Sequence, residues 1–157
     1  MDPTRIHLFI THLPLFGLFL GILALIYALV VRSKQVNILA LLIILIATIG
    51  AIIAMQTGEA AEETAETITG IVESAVEEHE ESAELTALFF YGLGILSCIA
   101  LYLEVKKKDL AKLFLWIVLI FGAVTFYLVL DTATLGGKIR HTEIAVGEST
   151  PDSAFNS

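Results

Sequence analysis

The sequence predicts an all-α protein, a transmembrane four-helix up-down bundle, on three observations. Residues 13–31, 36–58, 85–103 and 113–130 contain no Asp, Glu, Lys or Arg, and about 20 apolar residues suffice to cross the hydrocarbon core of a bilayer as a helix. Hydrophobic residues make up 57% of the chain against 17% charged, with a mean hydropathy of +0.85, whereas a soluble domain is about half apolar and a quarter charged. Four spans and one extramembrane segment use up the 157 residues, which leaves no length for a separate soluble catalytic domain.

Helix one is expected over about 6–31. Asp2 and Pro3 suit an N-cap and first helical position, and no small-residue cleavage site precedes Arg32, so the segment reads as a retained span and not a signal peptide. Helix two follows over 36–58. Gly17 and Gly21 on the first helix, and Gly50, Ala54 and Gly58 on the second, recur at intervals that let helix backbones approach closely in lipid. Residues 59–84 hold ten glutamates and no base. Their apolar residues nevertheless keep helical spacing: Gly58, Ala61, Ala65 and Ile68, then Val72, Ala75, Val76, His79 and Ala83. Helices two and three should therefore extend beyond the bilayer and meet in an acidic hairpin near Thr69 and Gly70. Spans three and four are expected at 85–104 and 110–131, in one membrane domain covering 1–145, with a disordered tail at 146–157.

Charge placement sets the topology. Arg32, Lys34, Lys106, Lys107, Lys108 and Lys112 are six of the nine bases, and all lie in the two short connections. The positive-inside rule puts those connections in the cytoplasm. The expected location is the cell (inner) membrane, multi-pass, with both termini outside. A net charge of −8 argues against nucleic acid as a partner. A single cysteine, Cys98, excludes a disulfide framework or a cysteine metal cluster.

Chemistry concentrates in four histidines, His7, His12, His79 and His141, which this topology places at the outer end of the bundle. His79 lies on the Ala/Val stripe of its helix and not among Glu77, Glu78, Glu80 and Glu81, so the pattern turns it inward. A hairpin pivoting near position 69 sets Glu59, Ala60 and Ala61 opposite it. Gly136 and Gly137 precede His141 by about one turn, a surface on which a flat group can rest. His12 stands two residues before Pro14, and His7 and His12 lie roughly 140° apart around their helix. No Gly-x-Ser-x-Gly elbow, His-Glu-x-x-His or phosphate-cradling glycine loop occurs, so no hydrolase chemistry is expected.

Four segments carry a family resemblance: IHLFITHLPL opening helix one, QTGEAAEE ending helix two, EEHEE entering helix three and TLGGKIRHTEI ending helix four. With the spans between them, over about residues 5–145, the chain resembles a family of small four-span bacterial membrane proteins catalogued as a domain of unknown function. The resemblance implies that the histidines are cofactor ligands, and some relatives are associated with respiratory Rieske-type iron-sulfur domains. Relatives commonly have proline where this chain has Leu8, and apolar or aromatic residues where it has Lys138 and Arg140.

Three function classes follow. In the first, the protein holds haem b for electron transfer, with axial imidazoles drawn from His79, His12, His141 and His7 and with Arg140 and Lys138 beside the propionates. In the second, a nonhaem zinc, copper or iron ion is bound by His79, His12 or His141 together with Glu59, Glu62 or Glu63. The ferritin-like di-iron pattern is disfavoured because no Glu-x-x-His occurs. In the third, the chain is a structural or assembly subunit of a respiratory membrane complex. The lipid bilayer is the expected environment, a redox protein at the outer face the expected partner, and oligomeric state is left open.

Overall fold

A computed structural model of the chain describes the backbone of residues 12–65 and 73–148, and side chains within 12–56 and 78–137. It contains four helices: α1 (His12–Val31), α2 (Lys34–Ala65), α3 (Glu73–Val105) and α4 (Ala111–Glu148). Each is long and apolar enough to cross a membrane. α2 and α3 run past the ends of their charge-free stretches into the glutamate-rich segment, and α4 continues to Glu148. The turn expected near Thr69 and Gly70 lies outside the described residues.

Helices that follow one another in sequence pack most extensively, α1 on α2 and α3 on α4. Contacts of α2 with α3 and of α1 with α4 close the ring. Leu18, Leu25, Leu41, Ile44, Phe90, Leu93, Leu115 and Val118 fill the centre. The outer surface is apolar as well: Val30, Leu88, Ile95, Ile120 and Tyr127 are each more than 60% exposed. A helix that is apolar on every side needs lipid or protein all round it, and this exposure makes the bilayer the natural solvent for the bundle.

Small residues carry the closest helix approaches. A Cβ at Gly17 would stand 3.0 Å from the Ala47 Cβ, and one at Gly21 would stand 2.5 Å from Ile44 Cγ1. Gly50 receives Leu13, and Gly94 receives the Thr48 methyl. The spacing of glycines in the sequence thus marks the α1–α2 contact. Two buried hydroxyls are satisfied within their own helices, Thr48 Oγ1 donating to the Ile44 carbonyl at 3.0 Å and Thr125 Oγ1 to that of Phe121 at 2.9 Å.

Both short connections turn in the same way. Arg32 and Lys107 each have φ of 53°, the left-handed conformation that closes a helix C-terminus and usually falls to glycine. The Ser33 amide then donates to the Ala28 carbonyl at 3.2 Å, and the Lys108 amide to that of Leu103 at 2.9 Å. These caps fix the helix pairs as antiparallel neighbours and gather Arg32, Lys34 and Lys112 at one end of the bundle, opposite His12 and His79.

Candidate functional site: an imidazole against a glycine at the histidine end

His79 lies in the second turn of α3, and its helix face continues through Ser82 and Thr86 at helical spacing. The facing residues of α4 are Thr132 and Gly136. Thr132 Oγ1 lies 2.7 Å from Ser82 Oγ and 2.9 Å from Thr86 Oγ1, and it donates to the Ser82 carbonyl at 3.2 Å. This hydroxyl cluster locks the register of the two helices one turn below the histidine.

One turn above it, the imidazole abuts Gly136. A Cβ at that position would lie 3.0 Å from His79 Cε1, 3.5 Å from Nε2 and 3.6 Å from Nδ1, so the ring occupies the space that any other residue would fill. The ring is half-buried, its Nδ1 is closed off from solvent, and the Thr132 backbone lies close enough to interact with the imidazole. The flat group resting on Gly136 is the His79 ring itself, set there from the neighbouring helix, while a Cβ at Gly137 would meet nothing within 4 Å among the described residues.

His12 opens α1 at the same end of the bundle. It is exposed, and its ring stacks on Phe16 with centroids 6.0 Å apart and planes 20° apart. α1 and α3 stand diagonally across the ring of helices, so the structure brings His79 to α4 and not to His12. His141 follows Gly136 by five residues on the same helix. The side chains of His7, His141, Glu59, Glu62, Glu63, Lys138 and Arg140 lie outside the described residues. Among the described residues, no group of three or more His, Cys, Asp or Glu side chains is placed to hold a metal ion.

Sequence reasoning missed two polar features. The Ser82–Thr86–Thr132 cluster had a signal, since a short α3–α4 connection pairs positions equidistant from about 108. A second, at the opposite end, is a buried hydrogen bond of 2.7 Å from Asn37 Nδ2 to Glu104 Oε1. Its signal was Asn37, the one polar residue between Gln35 and Thr48 in the apolar run of α2. Compared with protein-family models, with curated proteins and with solved structures, the chain finds no match.

Proposed function

We propose that the protein is an integral membrane redox protein that holds haem b at the histidine end of the bundle, with His79 as an axial ligand. The observation that carries this reading is the His79 imidazole, turned inward from α3 and seated against Gly136 of α4. A ligand imidazole must be held in one orientation by its surroundings. The glycine contact and the hydroxyl cluster beneath it provide that hold. His141, on the same helix α4 as the glycine that receives His79, is the first choice for a second ligand, with His12 next and His7 last. Lys138 and Arg140, on the same stretch of α4, supply cations for the propionates. Bound haem would supply one-electron chemistry, tuned by these axial ligands and by the exclusion of water. A nonhaem zinc, copper or iron site built on the same histidines with Glu59 and Glu63 is the alternative occupant.

His79→Ala should lose the haem found in the parent protein, whereas a histidine that only fills space would cost about 1 kcal/mol of stability and leave cofactor content unchanged. Running His12→Ala and His141→Ala beside it identifies the second ligand as the variant that matches the loss. Full retention of cofactor in all three would overturn the ligand assignment.

The membrane sidedness proposed with this function rests on the six bases gathered at the opposite end. That end faces the cytoplasm, both termini lie outside, and the acidic hairpin is available to a redox protein at the outer face. A periplasmic reporter fused after Ser157 should be active. Activity of a cytoplasmic reporter there would invert the topology and move the histidines to the inner face.

A further inference from the structure

The end of the bundle opposite the histidines carries a polar cavity that the redox reading does not use. Asn37, in the first turn of α2, donates from Nδ2 to Glu104 Oε1 in the last turn of α3. Both residues are more than nine-tenths buried, at 8% and 9% exposure. A carboxylate this buried in a membrane protein needs compensation and marks a functional site by default. Here the amide of Asn37 gives it one hydrogen bond and leaves acceptor capacity over. Asn37 Oδ1 is itself buried with no partner, so the acceptor that the wall offers to a donor is the Glu104 carboxylate.

The same two residues line a cavity of about 440 Å³ together with Arg32, Lys34, Lys112 and Trp116. Lys34 Nζ is already engaged with the Val105 carbonyl at 3.3 Å. Arg32 and Lys112 are the cations left to meet an anion. Arg32 also holds the left-handed position that glycine would fill more easily. The ligand called for is thus bipolar, with an anion for the two cations and, beside it, a charged hydrogen-bond donor for the carboxylate.

The level of the cavity says where such a ligand comes from. Residues 13–31 carry no charge and as a helix cross about one hydrocarbon thickness, which puts Arg32 at the depth of lipid headgroups. Trp116, 47% exposed on the rim, is of the residue type that anchors at that level.

We propose that this cavity binds a phospholipid headgroup that carries a primary ammonium, of the phosphatidylethanolamine type. The phosphodiester meets Arg32 and Lys112, and the ammonium donates to Glu104. A choline headgroup has the same charges and no N–H, and a glycerol headgroup has hydroxyls and no positive charge, so both satisfy the wall less well.

The test uses the full-length protein, stripped of lipid in detergent. Binding of phosphatidylethanolamine, phosphatidylcholine and phosphatidylglycerol with identical acyl chains is measured by native mass spectrometry. Inorganic phosphate and free phosphoethanolamine serve as soluble competitors. Phosphatidylethanolamine should bind about tenfold more tightly than the choline lipid, as a charge-assisted hydrogen bond allows. Glu104→Gln, which can still accept from Asn37, should bring that ratio close to one, while Arg32→Ala should weaken both lipids together. Equal binding of the two zwitterionic lipids, a preference for phosphatidylglycerol, or a Glu104→Gln variant that keeps the ratio would overturn the proposal. Displacement of the lipid by millimolar phosphate or phosphoethanolamine would show a soluble ligand and overturn the lipid assignment. Should Glu104→Gln fail to fold, the lipid ranking of the parent protein decides.

Discussion

Replacing Gly21 with leucine is expected to cost more than about 3 kcal/mol, beyond the usual range for an overpacked core. A single Cβ there would already stand 2.5 Å from Ile44 Cγ1 and 3.3 Å from the Ile44 backbone nitrogen. Ile44 is fully buried, so its side chain cannot swing away, and the backbone contact means that α1 and α2 must separate. In lipid no hydrophobic force restores such an interface, because close packing is itself the main attraction between helices. Thermal unfolding in detergent reads the effect. Gly137→Ala is the control: among the described residues nothing lies within 4 Å of its added carbon, and helix propensity favours alanine by about 1 kcal/mol. Equal stability of Gly21→Leu and the parent would contradict the α1–α2 crossing described here.

Asn37→Leu should destabilise the protein by about 2–3 kcal/mol, since it removes a hydrogen bond to a carboxylate and leaves that carboxylate buried. The bond is short, at 2.7 Å, and neither partner is more than 9% exposed. The informative variant is the double one. Asn37→Leu with Glu104→Leu replaces both polar groups by apolar ones of similar size, and such exchanges are often close to neutral. Most of the loss should therefore return, a coupling that a double-mutant cycle in denaturant or heat measures directly. Additive losses would mean that the two side chains act independently.

Much of the fold was legible in the sequence because membrane spans announce themselves by the loss of charge. The spacing of Gly17, Gly21 and Gly50 also marked the α1–α2 contact, since only small residues permit the approach to Ile44 and Ala47 seen there. The inward turn of His79 could be read from its Ala/Val stripe. Its neighbour could not. Nothing in the periodicity named Gly136 on α4 as a contact of the ring, and positions 59–61, expected across from it in the acidic hairpin, have side chains outside the described residues. Each helix has two neighbours in a ring, and periodicity says that a face is buried without saying which neighbour buries it. Asn37 and Glu104 escaped notice for a related reason: each sits at the edge of a charge-free run, where a polar residue reads as the end of a span. Only three-dimensional packing shows the two buried against each other.

The visible absorption spectrum of the purified full-length protein, recorded oxidised and then reduced with dithionite, tests the redox assignment most directly. Axial imidazole ligation of haem b predicts sharp bands in the reduced spectrum, absent from the His79→Ala protein prepared in the same way. A colourless parent protein, or sharp bands of undiminished intensity in His79→Ala, would contradict His79 as the haem ligand.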